Sequence, residues 1–161
     1  MKKSVGIILL YQGKALLQRR GDWDWEKDQF QSFRGAYQVT AHGKCEESET
    51  WEESLIREIK EELGEKIKGI LQPSRFTLIK ESKKTGKISR TYALLEPLTL
   101  SEIRLIMLEP SSGSLYPFPL KELEKIQILD PSQKDTQFSP FFMFADEKEA
   151  LEVVWNLINK Q

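Results

Sequence analysis

A single predicted helix, residues 50–63, constrains the fold of this 161-residue chain more than any other segment. Thr50 and Glu53 have the T-x-x-E spacing of a capping box, in which each side chain bonds the backbone N–H of the other residue. Gly64 follows at the position where a left-handed C-cap is expected. The apolar residues of the segment recur at helical spacing: Leu55, Ile56, Ile59 and Leu63. The segment therefore predicts an amphipathic helix with one face against a core.

Short strand-like runs, turns and helical patterns make up the rest of the chain. β-branched, aromatic and aliphatic runs predict strands over residues 5–11, 15–19, 37–40, 75–80, 88–95 and 115–119, and the ambiguous run 101–108 is also interpreted as a strand. Residues 121–128 and 146–159 have helical patterns, whereas residues 21–35 and 130–138 are predicted loops. The order of elements, without repeats or linkers, predicts one α/β domain over residues 1–161.

Composition excludes several classes of protein. Lys and Arg number 24 against 25 Asp and Glu, and this balance argues against a binder of duplex nucleic acid. The only cysteine, Cys45, and the only histidine, His42, cannot form a disulfide or a Cys/His zinc site. No run approaches the ~20 apolar residues of a membrane span. These features predict a protein of a reducing compartment, the cytoplasm, with no membrane partner.

Three carboxylates occupy a separate face of the predicted helix. Glu58, Glu61 and Glu62 are spaced i, i+3 and i+4, so at about 100° per residue they share one arc beside the apolar stripe. Like charges at this spacing weaken a helix, and a hard divalent cation such as Mg²⁺ or Mn²⁺ would compensate for that repulsion. The alternative is a solvated, Glu-rich surface helix. The wider spacing of identities around the helix favours the metal site.

That wider spacing resembles the Nudix box, G-x5-E-x7-R-E-U-x-E-E-x-G-U, where U is a bulky aliphatic residue. The matching positions are Gly43, Glu49, Arg57, Glu58, Ile59, Glu61, Glu62 and Gly64. Glu65 departs from the pattern, since it stands where an aliphatic residue is usual. The resemblance implies a Nudix-type α/β/α sandwich with a mixed central sheet. It also implies metal-dependent hydrolysis of a nucleoside diphosphate linked to another moiety.

The resemblance assigns expected roles to individual residues. Glu58, Glu61 and Glu62 would coordinate Mg²⁺ or Mn²⁺, with Glu58 handling the proton of the attacking water. Arg57 and Glu49 would form a structural ion pair that orients the helix. Members of the family often use a further acid outside the box, for which Glu109 is the first candidate and Glu81 the second. A backbone carbonyl near Gly43 is a further potential ligand.

The loop over residues 21–35 is the candidate for substrate recognition. Arg19, Arg20 and Arg34 flank the aromatic residues of this loop, among them Trp23 and Trp25. Arginine suits phosphate oxygens, and an aromatic face can stack on a base or pterin. The alternative is that these rings fill the core beneath a long loop.

The sequence supports two hypotheses of function. The first is a Mg²⁺-dependent pyrophosphohydrolase of a small-molecule phosphoanhydride, for which a nucleoside or pterin triphosphate is one candidate. The second is a catalytically silent Nudix-fold module that binds a nucleotide. Silent members usually lose box carboxylates, and this chain keeps all three. A homodimer is compatible with the family, but no segment of the sequence marks an interface.

Overall fold

A mixed sheet carries most of the regular structure of the chain. The computed structural model describes residues 1–108, 112–138 and 141–160. The strands are β1 (Lys2–Tyr11), β2 (Lys14–Arg20), β3 (Trp23–Asp24), β4 (Gln29–Phe30), β5 (Tyr37–Gln38), β6 (Ala41–Lys44), β7 (Thr77–Lys84), β8 (Lys87–Leu94), β9 (Ser112–Pro119), β10 (Gln127–Ile128) and β11 (Phe142–Met143). The α-helices are α1 (Trp51–Glu58), α2 (Glu65–Lys68), α3 (Leu100–Ile103) and α4 (Ala145–Asn159). A π-helical segment (Ile59–Leu63) and 3₁₀ turns (Pro73–Arg75, Leu120–Lys125 and Pro131–Gln133) complete the described elements.

Strand β1 lies at the centre of the main sheet. The order is β5-β2-β1-β8-β7, with β6 also paired to β1 and β9 to β2. β1 runs parallel to β8 and antiparallel to β2 and β6. A central strand covered on both faces is expected to be continuously apolar, and residues 4–10 of β1 are all buried. The predicted strands at residues 5–11, 15–19, 88–95 and 115–119 are confirmed, and the central sheet is mixed, as predicted.

The two faces of the sheet are covered by different helices. Ile7 and Leu9 point to the face where α1 and the π-helical segment pack through Leu55, Ile59 and Leu63. The alternate residues Ile8 and Leu10 point to the other face, which α4 covers through Leu151 and Val154. Burying each such side chain contributes roughly 1.5–3 kcal/mol. The result is the predicted α/β/α sandwich.

Four predictions about elements need correction. Residues 101–108 do not form a strand: Thr99 and Glu102 make a complete capping box that starts helix α3. The loop at 21–35 contains the β3–β4 hairpin. The segment 121–128 is a 3₁₀ turn followed by β10 rather than one helix. Ile56 is 37% exposed, because it lies about 100° round the helix from Leu55 and beyond the buried face.

Gly64 adopts a positive φ of 96°, as a C-cap glycine does, but its ψ of 165° is extended rather than left-handed helical.

Among the described residues, no helix is both long enough and apolar enough to span a membrane.

Candidate active site

The carboxylate-bearing helix begins at a well-formed cap and ends in a widened turn. Thr50 Oγ1 accepts a hydrogen bond from the Glu53 backbone N–H at 3.1 Å. After Glu58 the helix changes from α to π geometry over Ile59–Leu63. Such π-helical turns are uncommon and are frequent at functional sites. The wider turn rotates Glu61 and Glu62 away from the positions that ideal α-helical spacing predicts.

Glu58 lies beneath the helix rather than on its solvent side. Its residue surface is only 4% exposed, and its carboxyl group packs directly against the backbone of Gly43 in β6. A β-carbon placed on Gly43 would overlap that carboxyl group. The box glycine is therefore required by the close approach of Glu58.

Burial changes the acidity of Glu58. Desolvation raises the pKa of its carboxyl group to about 7, and the charges of Glu62 and Glu61 act in the same direction against the opposing pull of Arg57. A carboxyl group with this pKa can exchange a proton near neutral pH.

Arg57 links the helix to the loop that follows β6. Its Nε donates to Glu49 Oε2 at 2.7 Å and its Nη2 to Glu49 Oε1 at 2.9 Å, which makes a bidentate ion pair. Nη2 also donates to the carbonyl oxygen of Lys44 at 2.7 Å. Glu49 accepts further hydrogen bonds from the Glu46 N–H and the Ser54 hydroxyl. The hydrogen bonds from Arg57 are the main reason that the pKa of Glu49 falls to about 2.

The same guanidinium holds two box carboxylates together. Arg57 Nη1 donates to Glu58 Oε1 and to Glu61 Oε2, each at 3.0 Å. These two oxygens therefore face a common positive charge. Glu61 is exposed, and Glu62 lines the adjoining cleft.

The donor chemistry of this face suits a hard divalent cation. All three side chains offer carboxylate oxygens, which Mg²⁺ and Mn²⁺ prefer. Within residues 1–108, 112–138 and 141–160, however, no group of three or more acidic, histidine or cysteine side chains is already arranged around one point as a metal site. Glu61 and Glu62 both line the cleft, while Glu61 Oε2 accepts from Arg57. The residues fit the ion by the chemistry of their oxygens.

A cleft of about 370 Å³ opens beside Glu61 and Glu62. Its opposite wall comes from β2, β5 and the β3–β4 hairpin, through Gln18, Arg20, Gln38, Asp24, Glu26 and Gln31. Arg20 is fixed there because its Nε donates to the Ser32 carbonyl oxygen at 2.7 Å and its Nη1 to Gln38 Oε1 at 2.9 Å. The cleft thus presents the carboxylates of Glu61, Glu62, Asp24 and Glu26 together with an immobilised guanidinium, that of Arg20.

The predicted recognition residues divide between the cleft and the surface. Arg19 is exposed and does not line the cleft; its neighbour Arg20 does, because successive strand residues point to opposite faces. Trp23 packs edge-on against Trp25 and Phe30, and the guanidinium of Arg34 lies 4.3 Å from the Phe30 ring centre. Trp25 remains 67% exposed. Both tryptophans sit on the hairpin that forms one wall.

Of the two acids proposed outside the box, Glu109 lies outside the described residues. Glu81 forms an ion pair with Arg90, with 2.7 Å between the carboxylate oxygen and Nε. Sequence reasoning missed Asp24 and Glu26, whose side of the hairpin lines the cleft. The alternation of acidic and aromatic residues over 22–26 is the signal that could have indicated a strand with one polar face.

The fold and the site together define a family of α/β/α hydrolases with a glutamate-bearing helix over a mixed sheet. The model of the NUDIX domain matches residues 1–140, and the chain therefore belongs to the Nudix family of hydrolases. No curated protein matches the sequence significantly.

Solved structures share the fold at low sequence identity. A MutT protein from Methanosarcina mazei is 15% identical, with a TM-score of 0.62 over 99% of this chain and 96% of its own. An ADP-ribose pyrophosphatase from Streptococcus suis is 13% identical, with a TM-score of 0.54 over 98% and 91% of the two chains. The E. coli dihydroneopterin triphosphate pyrophosphohydrolase is 14% identical, with a TM-score of 0.52 over 93% and 92%. At these identities the similarity shows the fold alone.

Proposed function

We propose that this protein is a Mg²⁺-dependent pyrophosphohydrolase that cleaves a phosphoanhydride bond in a nucleoside diphosphate linked to another moiety. Nucleoside and pterin triphosphates are the candidate substrates. The observation that carries the proposal is the buried carboxyl group of Glu58, held against Gly43 and linked through Arg57 to Glu61, which lines the cleft. Burying an acid among like charges costs stability, and a reaction that needs a base near neutral pH accounts for that cost.

In this proposal Glu58, Glu61 and Glu62 hold Mg²⁺ or Mn²⁺, which when bound neutralises charge on the pyrophosphate and activates water. Glu58 accepts the proton of the attacking water, for which its raised pKa is suited. Arg57 and Glu49 are positioning residues, because they fix the helix to the loop that precedes it. Arg20 contacts the phosphates across the cleft, where its guanidinium is already immobilised.

The β3–β4 hairpin contributes the remaining substrate contacts. The exposed ring of Trp25 stacks on the base or pterin in this proposal. Trp23 packs edge-on against Trp25 and Phe30, and Arg34 lies over the Phe30 ring. Relatives with this fold act, by name, on ADP-ribose and on dihydroneopterin triphosphate. Both are small phosphoanhydrides, which supports the class of substrate proposed.

The test is release of phosphate and pyrophosphate from a panel of nucleoside triphosphates, dinucleotides, nucleotide sugars, coenzyme A and a pterin triphosphate. Turnover is expected with Mg²⁺ or Mn²⁺ and not with chelator. Glu61→Gln should lower kcat at least 100-fold, because the carboxylate on the cleft is lost while the amide still accepts from Arg57. Glu65→Gln is the matched control, since Glu65 is exposed and forms its ion pair with Lys60, away from the cleft lining.

Metal-independent turnover, or equal rates for Glu61→Gln and the wild type, would contradict the proposed site. Binding of a panel compound without any turnover would instead support the silent nucleotide-binding module.

A further inference from the structure

Arg20 is the only arginine or lysine among the described residues that line the cleft, which also contains the carboxylates of Glu61, Glu62, Asp24 and Glu26. A phosphoanhydride carries several negative charges, so these carboxylates oppose its binding until a metal ion offsets them. The affinity of the cleft for phosphates therefore depends on how fully the charge of Arg20 is available to them.

Neutral oxygen atoms hold the guanidinium of Arg20. Its Nε donates to the Ser32 carbonyl oxygen at 2.7 Å, and its Nη1 donates to Gln38 Oε1 at 2.9 Å. Its Nη2 donates to Gln31 Oε1 at 3.3 Å. These three bonds come from the β3–β4 hairpin, the segment after it and strand β5. They fix the plane of the guanidinium without supplying a negative charge.

Arg57 shows the opposite arrangement. Its guanidinium pairs with three carboxylates, those of Glu49, Glu58 and Glu61. Among the described residues, arginine ion pairs are confined to Arg57, Arg75 and Arg90. More distant carboxylates act on Arg20 only through their charge. Arg20 therefore retains a positive charge that its own hydrogen bonds do not neutralise.

A chain of hydrogen bonds sets the direction of the Gln38 amide. Gln38 and Gln18 are cross-strand partners in β5 and β2, and Gln38 Nε2 donates to Gln18 Oε1. Gln18 is 2% exposed, and its own Nε2 donates to the Thr40 carbonyl oxygen at 3.4 Å. The Thr40 hydroxyl in turn bridges the backbones of β1 and β2, at 2.9 and 2.6 Å. Gln38 Oε1 is thereby left to face Arg20, whereas a reversed amide would set donor against donor.

We propose that Gln38 is a positioning residue, which as a neutral acceptor fixes the Arg20 guanidinium in the cleft and leaves its charge available to the phosphates of a phosphoanhydride. Gln18 supports this role by setting the direction of the Gln38 amide. A carboxylate at position 38 would hold the same guanidinium but compensate its charge, and an aliphatic side chain would leave it without this acceptor. The inference rests on the proposed function, since it concerns the phosphate-binding side of the same cleft.

The test is calorimetric binding of methylenediphosphonate, a pyrophosphate analogue that cannot be hydrolysed, with Mg²⁺ and again with chelator. Gln38→Leu should weaken binding about 10- to 100-fold, because a hydrogen bond to a charged group is lost. Gln38→Glu should weaken it as well, since the new carboxylate competes with the phosphates for Arg20. Gln127→Glu is the matched control, because it makes the same change at an exposed position of the short strand β10, away from the cleft lining; its affinity should equal that of the wild type.

A double-variant cycle tests whether Gln38 acts through Arg20. Arg20→Gln should itself lower the affinity, and Gln38→Leu added to it should cause little further loss, because the group that Gln38 positions is gone. Steady-state kinetics of Gln38→Leu, with the substrate found by the hydrolysis panel, should show a raised KM and a kcat within about threefold of the wild type. This split marks a lost interaction that is equally strong in the ground and transition states.

Three results would overturn the inference: unchanged affinity in Gln38→Leu, wild-type affinity in Gln38→Glu, or fully additive losses in the Arg20→Gln, Gln38→Leu double variant. Absence of diphosphonate binding by the wild type in both conditions would also overturn it. Gln38→Leu leaves the buried Gln18 amide without its donor, which could prevent folding. In that case Gln18→Leu combined with Gln38→Leu removes both amides together and should show the same loss of affinity.

Turnover separates the two proposals. Metal-dependent hydrolysis with an unchanged KM in Gln38→Leu would overturn this inference alone. Diphosphonate binding that depends on Gln38, without turnover of any panel compound, would overturn the proposed hydrolysis and leave the role of Gln38 in place.

Discussion

At the scale of single residues, the contact between Glu58 and Gly43 decides what the helix can do. The carboxyl group sits where a side chain of the facing strand would otherwise lie. This arrangement desolvates the acid and raises its pKa, while Arg57 keeps one of its oxygens oriented. The geometry of the proposed base is thus set by a residue that has no side chain.

Gly43→Ala tests that dependence. The new methyl group would overlap the Glu58 carboxyl group, which is buried and cannot move aside without losing Arg57. We expect kcat to fall on the order of 100-fold, as for misplacement of a catalytic group by about 1 Å. Steady-state kinetics with the substrate found by the hydrolysis panel would measure the loss.

Gly69→Ala is the matched control for Gly43→Ala. Gly69 has a helical φ of −65°, and a β-carbon there meets no atom within 4 Å. Activity should be unchanged, and the free energy of unfolding should rise by about 0.4–1 kcal/mol because the unfolded chain loses freedom. Similar kcat values for the two alanine variants would show that the close approach at Gly43 is not needed for turnover.

At the scale of elements, the functional unit is helix α1 together with the loop of residues 45–49. Thr50 caps the helix and Glu49, immediately before it, is held by Arg57 on the second turn. These contacts tie the loop to the helix, which holds Gly43 and Glu58 in contact.

Glu49→Gln should weaken this unit in a pH-dependent way. The folded-state pKa of Glu49, about 2, is below its ordinary value of 4.5, so its ionisation stabilises the fold above about pH 4.5. That contribution is lost as the pH falls towards 2. We expect the variant to lose roughly 1.5–3 kcal/mol of unfolding free energy at pH 7 and progressively less at lower pH.

Urea denaturation at pH 7 and pH 3 would measure the difference. Glu52→Gln, at an exposed position of the same helix, should stay within about 0.5 kcal/mol of the wild type at both pH values. A deficit for Glu49→Gln that does not shrink at pH 3 would mean that the lost charge is not its cause.

At the scale of the whole molecule, binding of a metal ion to Glu58, Glu61 and Glu62 should raise the thermal stability of the fold. An ion that binds only the folded protein stabilises it by mass action, by about 2.7 kcal/mol at 100 times its Kd. For a chain of this size that corresponds to a rise in Tm of about 5–10 °C. We expect Mg²⁺ to raise the Tm of the wild type and to raise that of Glu61→Gln much less.

Thermal unfolding in Mg²⁺ and in EDTA would measure both shifts, with Glu65→Gln expected to behave as the wild type does. Equal shifts in all three proteins would place the stabilising ion elsewhere on the molecule.

Local sequence determined the elements whose signals are short-range. The cap at Thr50, the apolar spacing of Leu55, Ile59 and Leu63, and the alternation along β1 all follow from residues a few positions apart. The spacing of the Nudix box predicted the family, which the match to the NUDIX domain confirms, and it located the helix that carries Glu58, Glu61 and Glu62. The capping box of Thr99 and Glu102 is also a short-range pattern that predicts a helix start. The apolar run that follows it favoured the incorrect prediction of a strand over residues 101–108.

Tertiary structure alone decided which of these residues meet. Burial of Glu58 depends on the approach of β6 to the helix, and the choice of Arg20 over Arg19 depends on which face of β2 turns to the cleft. Glu147 lies 108 positions from Val39, and only the packing of α4 on the sheet brings it to that N–H. Periodicity reports the conformation of a segment, whereas desolvation and hydrogen bonding depend on the segments packed against it, which lie far away in the sequence.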